Sequence, residues 1–206
     1  MPRQWFRHAQ KSGHLTVFNK GGAWSHEVET ARTTFNSLGF PVTLDKADDE
    51  KNANIVVKLA MGPDSQKSWG KTASTRTDFD PKVLHGSTAT LVEEHDKPKK
   101  TFEVIFAAIF LPGKVQATSK QKEVIVVHEY IHACGLNGGR PDGSNDDIGQ
   151  DHDDNGIFVA QVKKDGDGLI EYMPDKGAVA MPPIRIGGHT RCKIQSIWGT
   201  EACKED

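Results

Sequence analysis

The fold and chemistry of the chain can be argued outward from residues 128–136, which have the sequence HEYIHACGL. On a helix, His128 and His132 lie about one turn apart on the same side, so both imidazoles can reach one cation. Glu129 is rotated off that line, which makes it a poor third ligand and a suitable proton acceptor. Gly135 permits the left-handed backbone conformation in which helices often end.

The residues before this motif predict that it lies on a helix. Thr118 and Gln121 have the spacing of a capping box, with Ser119 as an alternative cap. Apolar residues recur every three or four positions and predict a core face: Val124, Val127, Ile131 and Cys134. Histidines in so apolar a stretch are expected to be buried. Two readings remain, a chance motif with hydrogen-bonded core imidazoles or a zinc site, and we favour zinc.

Length and composition indicate one globular domain. The chain has 206 residues, of which 36% are hydrophobic and 26% charged, and its formal net charge is −2. This charge argues against a nucleic-acid or anionic-membrane partner, and no apolar run is long enough to span a bilayer. Residues 1–7 are basic but no apolar segment follows them, so we expect no Sec signal. We expect a monomer.

Alternating and continuous apolar runs predict an α+β (mixed α/β) fold. The predicted strands are residues 14–18, 41–44, 54–60, 87–93 and 101–111, and the predicted helices are 23–38 and the motif helix. Residues 101–111 have almost no polar face, which is typical of a central strand. The order of elements predicts a twisted five-stranded mixed sheet with two helices packed on it.

Beyond residue 136 the composition changes to a glycine-rich and acidic loop. Its carboxylates cluster within nine positions: Asp146, Asp147, Asp151, Asp153 and Asp154. Residues 151–156 and 163–170 each match part of an EF-hand calcium loop, but neither has the closing glutamate. Calcium binding and water-exposed Asp/Gly turns therefore both remain open. For Cys192 and Cys203, a disulfide and two free thiols are likewise both open, whereas Cys134 is expected to be a core residue.

With Gly135 included, the motif resembles that of the metzincin metalloproteases, HExxHxxGxxH. The resemblance implies that His128 and His132 bind zinc and that Glu129 is the general base of a zinc endopeptidase. The chain departs from the family pattern at position 138, where glycine stands in place of the third histidine.

The end of the chain resembles the ending of the matrixins, a branch of that family. Residues 180–183 and 194–199 look like a methionine turn followed by a last helix. The resemblance implies Met181 as the methionine beneath the metal, with Met173 as the alternative. It also implies a single catalytic domain, 1–206, with residues 1–136 as the upper lobe. Residues 137–206 would form an irregular lower lobe ending in a helix.

The third zinc ligand is predicted to be His152, displaced by an insertion after the motif helix. Only two histidines follow the motif, and His189 lies beyond the predicted methionine turn. Neighbouring aspartates compete with His152 for this role: Asp142, Asp151 and Asp153. Two rival functions are a gluzincin-like hydrolase with Glu171 as third ligand and a non-catalytic binding module with a structural zinc. Under the favoured function, an extended substrate pairs with the edge strand, residues 87–93.

Overall fold

The computed structural model describes residues 5–61, 82, 86–96, 101–135, 163–164, 168–169, 184, 186 and 188–199. The α-helices in this part of the chain are α1 (Arg7–Ser12), α2 (Ser25–Ser37), α3 (Ser119–Ala133) and α4 (Gly188–Trp198). The strands are β1 (His14–Lys20), β2 (Thr43–Lys46), β3 (Ile55–Ala60), β4 (Ser87–Asp96), β5 (Thr101–Pro112), β6 (Lys163–Lys164) and β7 (Gly168–Leu169). Single 3-10 turns span Gly22–Trp24 and Glu50–Asn52.

Five strands form one mixed sheet in the order β2-β1-β3-β5-β4. Neighbours among β2, β1, β3 and β5 are parallel, and β4 is antiparallel to β5. The predicted five-stranded mixed sheet of an α+β protein is therefore confirmed. The apolar segment predicted to be central is β5, which lies between β3 and β4. Residues 107–112 of β5 are buried on both faces of the sheet, so this part of the strand needs no polar side.

Helices α2 and α3 lie side by side against one face of this sheet. The helix α2 contacts β1 and β2, whereas α3 contacts β4 and β5, so each helix covers one half of the sheet. The core between them holds Phe35 and Tyr130, whose rings meet edge-on at 6.1 Å between centroids. The hydroxyl of Tyr130 donates to the carbonyl of Val28 at 3.3 Å. Burial raises the pKa of Tyr130, so this phenol stays neutral.

Several boundaries differ from the prediction for local reasons. The sequence predicts no element before residue 14, yet α1 forms there, and Gln10 donates to the carbonyl of Ile197 at 2.7 Å. The second strand begins at Thr43 rather than at residue 41, because its ladder with β1 starts at the His14–Thr43 pair. The first long helix becomes α-helical only at Ser25, after a 3-10 turn.

After residue 135 the structure describes residues 163–164, 168–169, 184, 186 and 188–199. The helix α4 begins at Gly188, six residues before the segment predicted to be the last helix. The strands β6 and β7 pair antiparallel within the segment 163–170, whose acidic residues lie outside the described part of the chain. Cys192 is disulfide-bonded, the state that oxidising compartments favour. Among the described residues, no helix is long and apolar enough to cross a membrane.

Candidate active site

The helix α3 begins at the predicted capping box. Thr118 accepts a hydrogen bond from the backbone amide of Gln121 at 3.3 Å, and the side chain of Gln121 accepts one from the amide of Thr118 at 2.9 Å. This reciprocal pair satisfies amides that have no partner inside the helix. The start of the helix, and with it the rotation of every later side chain, is set by local sequence.

The other end of α3 stops at the predicted glycine. The amide of Cys134 donates to the carbonyl of Tyr130, and the amide of Gly135 donates to that of His132, each at 3.0 Å. Gly135 has a φ of 114°, a backbone conformation that residues other than glycine rarely adopt. The prediction that Gly135 ends the helix is therefore confirmed.

Two tryptophans from opposite ends of the chain also hold this helix terminus. The indole of Trp5 donates to the carbonyl of Ala133 at 2.9 Å, and that of Trp198 donates to the carbonyl of Cys134 at 2.7 Å. Their rings lie 6.5 Å apart between centroids. Carbonyls at the end of a helix lack partners within it, so these donors satisfy groups that would otherwise be buried without a hydrogen bond. The last turn of α3, which includes His132, is fixed in place.

The two motif histidines point to one place. Nε2 of His128 and Nε2 of His132 lie 2.9 Å apart, and the rings are inclined at 73°. Both side chains are half-buried rather than fully buried as predicted, so the pair lies at the border of the core. The separation suits an N–H···N hydrogen bond between one donor and one acceptor ring. Two nitrogens bound to one tetrahedral zinc lie roughly 3.3 Å apart, because each Zn–N bond is about 2.0–2.1 Å long, so the pair would have to open slightly to hold the ion.

Glu129 contacts the start of β4. It is 4% exposed, and Oγ1 of Thr88 donates to its Oε2 at 2.6 Å. The same hydroxyl lies 3.2 Å from the backbone carbonyl of Glu129. A Cβ atom placed on Gly86 would lie 2.4 Å from Cγ of Glu129, which is closer than real contacts allow. The carboxylate is thus packed against Gly86 and tied to Thr88.

The strand β4 is the last strand of the sheet on the side of α3. Within the described ranges, no further strand pairs with it on its outer side. The backbone edge of β4 and the side chains of Thr88 and Glu129 therefore belong to the same end of the sheet.

The described residues supply two of the three protein ligands that a catalytic zinc site usually has. Among the described residues, no group of three or more His, Cys, Asp or Glu side chains is arranged to hold an ion. His128 and His132 supply two imidazole nitrogens, the ligand type that zinc prefers with thiolate and carboxylate. Cys134 is a free thiol whose pKa is raised by burial, so it stays neutral and packs in the core. The other predicted participants lie outside the described residues: Asp142, Asp151, His152, Asp153, Glu171, Met173 and Met181.

Sequence reasoning missed the residues that hold the site from outside the motif helix. Thr88 and Glu129 are 41 positions apart, and no periodicity connects them. The signal that the sequence offers is that Gly86 directly precedes the predicted edge strand and Thr88 lies near its start. Trp5 and Trp198 gave no signal of their role, because a helix end can be satisfied by a donor from anywhere in the chain.

No protein-family model matches the chain, and no curated protein matches it either.

Proposed function

We propose that the protein is a zinc-dependent endopeptidase of the metzincin type. The observation that best supports this proposal is the arrangement on α3. Two imidazole nitrogens lie 2.9 Å apart beside a buried carboxylate, next to the last antiparallel strand of the sheet. The order of elements up to α3, and the glycine that ends α3 with a positive φ, further support a metzincin-like, matrixin-like catalytic domain. We extend this proposal to the whole chain, 1–206, as one catalytic domain.

In this proposal His128 and His132 hold the metal. Bound zinc would supply a Lewis acid that polarises the scissile carbonyl and acidifies water. The half-buried position of the two rings keeps them at the border of the core, where a substrate carbonyl can approach. The hydrogen bond of Trp198 to the carbonyl of Cys134 keeps the last turn of the helix from shifting. The imidazoles are thus preorganised by the fold.

Glu129 is the proposed general base. It takes a proton from the attacking water and later gives that proton to the leaving amine. A glutamate in this position would have no use in a purely structural metal site, which is why we place the non-catalytic binding module second.

The proposed substrate is an extended peptide that pairs with the outer edge of β4. Antiparallel addition of a strand supplies backbone hydrogen bonds without selecting side chains. This mode suits a peptidase that must hold the scissile bond at a fixed distance from α3. Because Thr88 lies on β4 and touches Glu129, the strand that binds the peptide also contacts the proposed base.

The third ligand proposed is His152. His152→Ala should lose zinc and activity as severely as His132→Ala, since three protein ligands are the usual minimum of a catalytic zinc site. If His152→Ala stays active while Asp142→Ala, Asp151→Ala or Asp153→Ala is inactive, the ligand is that aspartate. The same variant set, extended to Glu171→Ala, separates the metzincin from the gluzincin-like site.

The acidic segment 151–167 is proposed to bind calcium. Carboxylates crowded in a short stretch repel one another unless a cation neutralises them. A cation that binds only the folded state raises its stability with the logarithm of the cation concentration. Melting curves in excess chelator and in millimolar calcium, at fixed zinc occupancy, should therefore differ. Identical curves would favour exposed Asp/Gly turns.

The proposed function is tested by measuring metal and activity on the same preparation. Elemental analysis after dialysis should give one zinc per chain, and the zinc-loaded protein should cleave casein or a peptide library. A chelator should abolish cleavage, and added zinc should restore it. If the metal-replete protein cleaves no substrate, the binding module with a structural zinc is favoured. If no zinc is retained, the imidazoles form a hydrogen-bonded pair and the proposal is wrong.

A further inference from the structure

We propose that Gly86 and Thr88 are positioning residues for Glu129, one by leaving space and the other by anchoring a carboxylate oxygen. The consequence for turnover rests on the proposed function. The contact of Glu129 with Gly86 and Thr88 does not depend on that function. The positioning role and the peptidase proposal can therefore fail separately.

The anchoring part follows from the hydrogen bond between the two side chains. Oγ1 of Thr88 lies 2.6 Å from Oε2 of Glu129, within the range of about 2.5–2.7 Å for a hydroxyl bound to a charged oxygen. Both residues are buried, with exposures of 8% and 4%. A buried carboxylate oxygen without a donor costs more than the bond itself contributes, so this hydroxyl strongly favours one orientation of the carboxylate.

The spacing part follows from the missing side chain at residue 86. A Cβ atom there would lie 2.4 Å from Cγ of Glu129 and 2.6 Å from both Cδ and Oε1. These atoms belong to the flexible end of one side chain, so a methyl group would displace the carboxylate rather than the backbone. Gly86 and Thr88 thus constrain the same group from positions two residues apart, one just before β4 and one within it.

The displacement matters because a general base acts through its orientation. A glutamate side chain has three rotatable bonds, and a misplacement of about 1 Å at a reacting group can lower a rate by roughly 10²-fold. With Oε2 held by Thr88, the other oxygen is presented in one direction. The helix α3 alone fixes only the Cα–Cβ bond of Glu129, and the contacts with Thr88 and Gly86 constrain the bonds beyond it.

The test uses the full-length, zinc-loaded chain and two independent readouts. One is the kcat and KM for a casein-derived peptide. The other is the ¹³C resonance of the Glu129 carboxyl in protein labelled with ¹³C-glutamate, assigned by its loss in Glu129→Gln. The variants are Thr88→Val, which keeps the shape, Thr88→Ser, which keeps the hydroxyl, and Gly86→Ala. Thr90→Val removes another buried hydroxyl from the same strand and serves as the control.

We expect Thr88→Val to retain zinc and KM, to shift the Glu129 resonance, and to lose about 10–10²-fold in kcat. Thr88→Ser, which keeps the hydroxyl, should keep the wild-type position of the Glu129 resonance and most of kcat. A purely structural role for Thr88 would not produce this difference between the valine and serine variants. Gly86→Ala should shift the resonance, and Thr90→Val should leave it in place.

The inference is overturned if Thr88→Val leaves the resonance unmoved, whatever the activity. It is also overturned if Thr88→Val loses zinc and Thr88→Ser does not restore turnover, since Thr88 would then be structural. If Thr88→Val turns over at the wild-type rate while Glu129→Gln is inactive, the positioning role fails and the peptidase proposal stands. If Glu129→Gln itself is fully active, the peptidase mechanism fails, and the resonance alone decides whether Thr88 holds Glu129.

Discussion

Two buried glutamates lie where α3 contacts other elements, and they are held in different ways. Glu27 of α2 accepts a hydrogen bond from the Ser119 hydroxyl at 2.9 Å, and its Oε1 lies 3.6 Å from Nζ of Lys122. Glu129 of α3 accepts its hydrogen bond from Thr88 at 2.6 Å. Their exposures are nearly equal, at 6% for Glu27 and 4% for Glu129.

The difference in partners indicates different roles: Glu27 joins two helices, whereas Glu129 belongs to the candidate site. Glu27 connects the starts of α2 and α3 through a hydroxyl and a cation, and Lys122 also lies 5.5 Å from the centre of the Trp24 ring. Its burial is explained by helix packing alone. Glu129 follows one of two converging imidazoles and faces the edge strand. Substitution at 129 should therefore change turnover, and substitution at 27 should change stability.

The largest effect is expected for Glu129→Gln. The amide can still accept the hydrogen bond from Thr88, so fold and zinc content should be retained. Turnover should fall by about 10²–10⁴-fold, because an amide cannot take the proton. Glu27→Gln is the matched control, a buried glutamate changed in the same way, and should keep wild-type turnover per folded molecule. Equal losses in the two variants would remove the distinction between the two glutamates.

The next largest effect is expected for His132→Ala. Loss of one imidazole leaves an open site, so the variant should lose zinc on dialysis together with its activity. The matched control is His26→Ala on α2, an exposed histidine that lies outside the site. Elemental analysis of both proteins decides the question. Full zinc occupancy in His132→Ala would exclude this residue as a ligand.

Much of the fold was predictable because it depends on local pattern. The capping box at Thr118, the ending at Gly135 and the apolar run of β5 are each visible within a short window of sequence, and each is confirmed. The helix α1 escaped prediction because six residues without an apolar period give no signal. Its formation depends on distant partners such as the Ile197 carbonyl.

The candidate site was predictable only in part, for the same reason. A spacing of four places His128 and His132 together on any helix, and the structure shows their nitrogens converging. The contact of Glu129 with Thr88 depends on how α3 packs against β4, which a periodicity cannot reveal. The position of the proposed third ligand, His152, depends on the path of a loop rich in glycine and aspartate. The local sequence pattern does not predict that path.

A smaller effect, on stability, is expected for Trp198→Phe. The change removes the indole donor to the carbonyl of Cys134 and leaves that buried oxygen unsatisfied. The free energy of unfolding should fall by about 1–3 kcal/mol. Because this bond holds the turn that carries His132, zinc should be bound less tightly, whereas turnover per zinc-loaded molecule should be retained, since Glu129 keeps its bond to Thr88. Denaturant unfolding and steady-state kinetics on the same variant check both parts, and a loss of turnover without a loss of stability would contradict the assignment.

The smallest effect is expected for the pH dependence of Glu27→Gln. Burial alone would raise the pKa of Glu27, but hydrogen bonds from its own backbone amide and from Ser119, with the charge of Lys122, outweigh burial and lower it below the ordinary 4.5. The charged form is therefore favoured by folding. Its stabilisation is present above pH 4.5 and is lost as the pH falls through the lowered pKa.

At neutral pH the Glu27→Gln variant should be less stable than the wild type by roughly 1 kcal/mol, because Lys122 loses its charged partner while Ser119 can still donate to the amide. The stability gap between wild type and variant should close as the pH falls below 4.5, since protonated Glu27 then resembles glutamine. Groups that titrate alike in both proteins cancel in this difference. A gap that is constant from neutral to acidic pH would show that the charge of Glu27 does not stabilise the contact between α2 and α3.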